Sequence, residues 1–176
     1  MELKEALARR RSVRSYNGRS VSDEDLEAIL KAGCAAPIGM RAYDTIHLTV
    51  VQKKEALDEI REMVARATDN NPAYNPTYGA KTLVLVSARP RGDSLQMERC
   101  DAGCILENML LQATELGIGS VYLLSVGLAF EEGSPMYEKL QIPGGFKFVS
   151  GAAFGYTDEE AEPKELSIRL SMNTVK

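Results

Sequence analysis

One histidine, His47, stands in the whole chain of 176 residues. It falls in a stretch that alternates like a strand, so a multi-histidine metal site is excluded and a Cys–His nucleophile pair is poorly supported. His47 reads as a surface strand residue. Cysteine is nearly as scarce, with only Cys34, Cys100 and Cys104. An odd, sparse set argues against a disulfide framework and for a reducing, cytoplasmic setting. Cys100 and Cys104 lie four apart on a predicted helix and share a face; two ligands do not make a zinc site, and they read as buried thiols. No Walker-type phosphate loop is present, and Gly117-Ile118-Gly119 lacks the third glycine of a dinucleotide fingerprint and ends a helix rather than opening one. The segment Met1 to Arg10 alternates acidic and basic residues without an apolar core, so no signal peptide is expected. The longest mostly apolar run, Leu116 to Phe130, carries three glycines and two serines. It is shorter than the ~18 residues a membrane helix needs. A basic excess is also missing. The net charge is −4 and the pI about 5.2, which demotes nucleic acid as a partner. Internal repeats and low-complexity segments are absent. With so few acid–base or nucleophilic groups, an enzyme of this kind must borrow its chemistry from a cofactor.

What is there describes an ordinary globule, 44% apolar and 26% charged, long enough for one domain with a sizeable core. A short amphipathic run carries Leu3, Ala6 and Leu7 on one face. It hands over at Arg10-Arg11-Ser12-Val13-Arg14 to extended chain, before a turn at Tyr16-Asn17-Gly18. In extended chain Arg10, Ser12 and Arg14 face one way and Arg11 and Val13 the other. Two guanidiniums flanking a hydroxyl make either a cradle for a phosphorylated ligand or a solvated basic turn. Ser22-Asp23-Glu24-Asp25 is close to a capping box and opens a helix that Gly33 stops. The small, apolar loop Cys34 to Met40 follows. Thr45 to Val51 alternates as a strand, and Lys53 to Ala67 is helical until Asn70-Asn71-Pro72 and Asn75-Pro76 break it. Leu83 to Val86 and Val121 to Leu124 read as strands covered on both faces. Arg89 to Asp93 reads as a turn. Leu95 to Leu116 is a long helix, apolar over much of its girth, hence buried in the core or in a dimer interface. A short helix over Ser134 to Leu140, a strand over Phe146 to Phe154 and an acidic loop over Asp158 to Glu165 complete the body. Leu166, Ile168, Leu170 and Met172 then alternate with polar residues, a half-buried strand that needs a sheet edge to join. The class is α+β or α/β, in three layers.

The ordered set Arg10 to Tyr16, Ala36-Pro37, Tyr78-Gly79-Ala80, Asp101, Asn108 to Ala113, Leu116 to Ser120 and Gly155-Tyr156 resembles the FMN-dependent nitroreductase superfamily along nearly the whole chain. The resemblance implies an α+β fold: a three-layer α/β/α sandwich on a mixed central sheet, with the C-terminal strand exchanged between subunits. It divides the chain into a domain over residues 1–165 and an arm over residues 166–176. It also implies a homodimer with FMN at the interface, NAD(P)H as electron donor and a small-molecule acceptor such as a nitroaromatic or quinone. Arg10, Arg11, Ser12 and Arg14 match the cofactor-binding stretch, with Arg10, Ser12 and Arg14 at the phosphate, ribityl and pyrimidine edge. Pro37, Ile38, Gly39 and Met40 match the loop that the other subunit lays near the flavin ring. Leu124 and Ser125 match the backbone that approaches flavin N5, and Arg169 matches a second phosphate ligand on the crossing arm. Asn70, Asn71 and Asn75 lie near where the family places a flavin-contacting asparagine, while their chemistry suits turns. The loop Ile38 to Tyr43 departs from the family's polar pattern. That leaves open a flavin-fragmenting or dehalogenating relative; a flavin-binding module and a structural dimer without cofactor are separate rival readings.

Overall fold

The computed structural model describes residues 1–68, 71, 73–160 and 162–176. Asn70, Pro72 and Ala161, which fall within the expected helix break and acidic loop, lie outside the described residues. Helix α1 spans Leu3–Arg9 and α2 spans Asp23–Cys34. Two 3₁₀ turns, Gly39–Arg41 and Tyr43–Thr45, lead into β1, Ile46–Val51. Helix α3 (Lys54–Ala67), β2 (Thr82–Ala88) and α4 (Gln96–Glu115) follow. Strand β3 (Gly119–Leu123) runs into a 3₁₀ turn at Ser125–Ala129, then α5 (Met136–Lys139) and β4 (Lys147–Gly155). The caps work as their chemistry requires. Ser22 Oγ accepts from the Asp25 N–H at 3.1 Å and so satisfies one of the orphan donors that open α2. Asn75 Oδ1 accepts from the Thr77 N–H and hydroxyl, both at 3.0 Å, and Asn71 Oδ1 accepts from the Ala73 N–H at 3.1 Å, so both are turn formers.

The four strands stand in the order β1-β2-β4-β3, and every neighbouring pair is antiparallel. This corrects the expectation of a mixed sheet within one chain. A continuous apolar run reports that both faces of a strand are covered; it does not report the direction of its neighbour. Successive residues of β2 point to opposite faces, as a period of two demands. Val84, Val86 and Ala88 join Leu26, Ile29, Leu106, Met109 and Phe154 in one apolar cluster. Leu83 and Leu85 join Ile60, Val64, Leu123, Val126 and Met136 in the other. The sheet therefore has α2 and α4 on one side and α3 with the Ser125–Ala129 turn on the other.

Two further expectations change. Cys100 and Cys104 share a face of α4 but are exposed, as is Cys34. The buried face of α4 is instead carried by Glu98, Asp101, Ala102, Ile105 and Met109. The tail forms no strand in the single chain: the described residues 162–176 are exposed, with Ile168 at 76% and Leu170 at 85%. A terminal strand forms only where a sheet edge receives it, and the β3 edge is already bridged by Ser12.

Gly119 lies where three segments converge. A Cβ there would stand 3.1 Å from the Gly155 carbonyl and 3.1 Å from both Val13 methyls. Gly119→Ala is expected to destabilise the fold by about 1–3 kcal/mol, the usual cost of overpacking. An unchanged urea midpoint would mean that this junction yields more easily than its geometry indicates.

Candidate cofactor site

The arginine stretch is positioned by the end of α1 and the edge of β3. The Arg10 N–H donates to Ala6 O at 2.8 Å, which closes the helix, and the backbone turns extended. Three residues on, the Val13 N–H donates to Ser120 O at 2.9 Å within a parallel Ser12–Ser120 bridge. Strand alternation then sorts the side chains. Val13 is buried and fills the space beside Gly119; Ser12 and Arg14 are exposed. Arg11 turns to the other side and donates to the Glu159 carbonyl at 2.5 Å. Arg10 lies 3.5 Å from Glu107 of α4, and the Arg14 guanidinium stands 5.9 Å from the centre of the Tyr78 ring. The stretch is fixed from behind by Tyr16, whose hydroxyl donates to Val13 O at 3.0 Å. Burial pushes that phenol well above its ordinary range, so it stays a donor at any working pH. Because the bridge is parallel, Arg14 lies toward the same end of β3 as Leu124 and Ser125. There Leu124 is 65% exposed, directly after the buried Leu123.

The loop Pro37 to Met40 is built differently. Ile38 packs against the cluster beneath α4, while Met40 is 83% exposed. Met40 and Arg41 have φ of 57° and 55°, in the left-handed region. Non-glycine residues hold that region at a cost of about 1–3 kcal/mol each and only where their surroundings dictate it. The residue before Met40, Gly39, is gripped by Arg91 and Asp101, with Glu98 beside Arg91. Arg91 donates through Nε to Glu98 Oε1 at 2.8 Å and through Nη2 to Asp101 Oδ2 at 2.5 Å. The Arg91 N–H also donates to Glu98 Oε1, at 2.9 Å. Asp101 Oδ1 takes the Gly39 N–H at 2.9 Å, and Arg91 Nη1 donates to Gly39 O at 2.5 Å.

The sequence reading missed Arg91 and Glu98, taking Arg91 as part of a turn. A signal existed. Glu98 and Asp101 fall three apart on the same helical face as Ala102, Ile105 and Met109, and carboxylates on a buried stripe require a cation. The arrangement also titrates in a definite direction. Burial raises the Glu98 carboxyl, but the hydrogen bonds from Arg91 outweigh it and hold the group below its ordinary 4.5. Glu98 therefore contributes stability that is present above about pH 4.5 and lost as pH falls through the depressed value. The melting temperature should drop in that acid window, and Glu98→Gln should flatten the drop. A Gln variant with the parent slope would remove Glu98 from the acid transition.

Within one chain the two parts stay apart on α4. Asp101 holds the loop and Glu107 meets Arg10; six residues of helix advance the face by roughly 120° and about 9 Å. Arg169 is exposed, with a 3.4 Å hydrogen bond to Ser167, and is not brought to Arg10 in the single chain. The body nevertheless returns there: Lys164 donates through its N–H to Ala8 O and through Nζ to Arg10 O, both at 3.0 Å, so the tail departs from beside the arginines. Among the described residues, no group of His, Cys, Asp and Glu is placed to hold a metal ion, and no helix is long and apolar enough to cross a membrane.

A segment carrying Arg10, Ser12 and Arg14 is thus docked on the β3 edge of an α+β body, beside the exposed Leu124. The model of the nitroreductase family matches residues 7–156, and the chain belongs to that family. A protein of Archaeoglobus fulgidus named for NADH dehydrogenase and NAD(P)H nitroreductase activity is 31% identical over 173 residues, 94% of this chain and 91% of its own length. A crystal structure of a Bacteroides fragilis nitroreductase with bound FMN superposes with a TM-score of 0.85 at 33% identity, covering 99% of this chain and 98% of that one. One from Desulfitobacterium hafniense, also with bound FMN, gives 0.83 at 25% identity with both chains fully covered.

Proposed function

We propose that this chain is an FMN-dependent oxidoreductase that takes hydride from NAD(P)H and reduces an electron-poor small molecule, a nitroaromatic or quinone, by alternating use of one slot. The observation that carries this reading is the edge segment bearing Arg10, Ser12 and Arg14, with Ser12 and Arg14 exposed and Arg10 half-buried, which runs toward exposed Leu124 and half-buried Ser125. These residues fit the cofactor: forked guanidiniums and a hydroxyl suit a phosphate and a polyol, and exposed apolar groups suit a flat ring. Arg10 and Ser12 hold the phosphate and ribityl ends, Arg14 gives positive charge to the pyrimidine edge, and Arg11 anchors the strand through Glu159. When bound, FMN supplies the redox chemistry, hydride acceptance and delivery at N5. No side chain of this chain need act as acid or base, because solvent can protonate the product.

The working unit in this reading is a homodimer with three-layer subunits. The 120° separation on α4 supports it, since a subunit's Pro37–Met40 loop then serves its partner's cofactor rather than its own. Residues 166–176 are the arm that pairs with the partner and brings Arg169 to a phosphate. The test is anaerobic mixing of the FMN-loaded protein with NADH and with NADPH. Rapid bleaching of the flavin band, and parallel double-reciprocal plots with a quinone acceptor, are expected. A protein that holds FMN but bleaches slowly with both donors would be a flavin-binding module.

A further inference from the structure

Gly39 has both of its backbone groups taken by buried charged side chains, its N–H by Asp101 and its carbonyl by Arg91. The three ionised side chains involved are 9% exposed at Arg91, 1% at Glu98 and 8% at Asp101. Desolvating them is costly, whereas the polar backbone of an ordinary surface loop is satisfied by water at no such expense. The grip is on the main chain and leaves little room for a side chain. A Cβ at residue 39 would stand 3.3 Å from Arg91 Nη1 and 3.4 Å from Asp101 Oδ1. The segment it holds is directed outward, because the next two residues, Met40 and Arg41, are exposed and left-handed. A clamp that only closed the end of α4 would have no reason to seize both groups of one loop glycine.

We propose that Arg91 is a positioning residue for the flavin: with Asp101, and oriented by Glu98, it fixes the backbone at Gly39 and so presents Pro37 to Met40 in the one form that packs against the cofactor. The proposal rests on the FMN reading above, and it makes loop order, not chemistry, the product of the clamp. Pre-organisation of this kind lowers the entropy lost on binding and appears as affinity.

The experiment compares the parent with Arg91→Gln and Asp101→Asn, the second retaining the acceptor for the Gly39 N–H while losing the charge. Two readouts are taken: amide hydrogen exchange of the apoprotein at Gly39 and at Leu85 in the sheet core, and FMN affinity by fluorescence quenching. The expected result is exchange at Gly39 at least about 10-fold faster with Leu85 unchanged, and FMN affinity roughly 10-fold weaker in both variants. If Arg91→Gln does not fold, Asp101→Asn alone decides. Equal acceleration at Gly39 and Leu85 would make the network a general stabiliser and overturn the proposal, as would unchanged FMN affinity beside a loosened Gly39. A parent protein that binds no FMN would sink the flavin reading separately, because the exchange arm does not depend on the cofactor.

Discussion

Arg10→Ala is expected to weaken FMN binding roughly 10–100-fold and leave the apoprotein's melting temperature nearly unchanged. A charge-assisted hydrogen bond is worth about 1.5–3 kcal/mol, which converts to that range of affinity. The structure separates the two effects. The only ion pair given to Arg10 among the described residues is the 3.5 Å contact with Glu107, whose side chain is 49% exposed. Such a pair contributes about 0–1 kcal/mol. The hydrogen bond that ends α1 is made by the Arg10 main chain and survives truncation. Arg10→Lys should recover only part of the affinity, because an ammonium cannot match a phosphate with a fork. Titration of the apoprotein by flavin fluorescence gives the answer, and equal affinity in parent and Ala variant would empty the cradle of meaning.

The second large effect is expected at the other end of the chain. If the chain pairs as proposed, deleting residues 166–176 should leave a mainly monomeric protein and lower FMN affinity with it. Leu166, Ile168, Leu170, Met172 and Val175 are between 45% and 91% exposed in the single chain. So many large apolar side chains left together in water support the proposed role of the arm. Burying a side chain of this size stabilises by about 1.5–3 kcal/mol, so loss of only two weakens association by roughly 100-fold or more. Sedimentation velocity at micromolar concentration distinguishes the outcomes. A truncated protein that sediments as the parent does would show that the arm holds no partner.

Much of the fold was legible because local rules report local facts. Ser22 and the acids after it announced α2, and the spacing of Leu57, Ile60 and Val64 announced α3. Within Arg10 to Arg14 the alternation was legible for Ser12 and Arg14, which are exposed, and for Val13, which is buried, since a strand's two faces are fixed by parity alone; Arg10, which ends α1, is half-buried beside Glu107. What failed was of another kind. The Arg91 clamp joins Gly39 to a residue 52 positions away, and no window of sequence contains both. The cysteines of α4 share a face as their spacing requires, but which side of the helix meets the sheet depends on the whole apolar stripe and on the charges set into it.

The sequence by itself thus determined where helices begin and end, which strand residues point inward, and that Ser12 and Arg14 face away from Val13 in an extended segment. These follow from backbone geometry and from the pattern of apolar and polar side chains. Only the tertiary structure decided that the sheet is antiparallel, that Arg91 closes on Gly39, and that the tail stays unpaired in one chain. Each of those is a pairing between distant segments. Its free energy exists only once the chain has brought them together, and no local pattern can carry it.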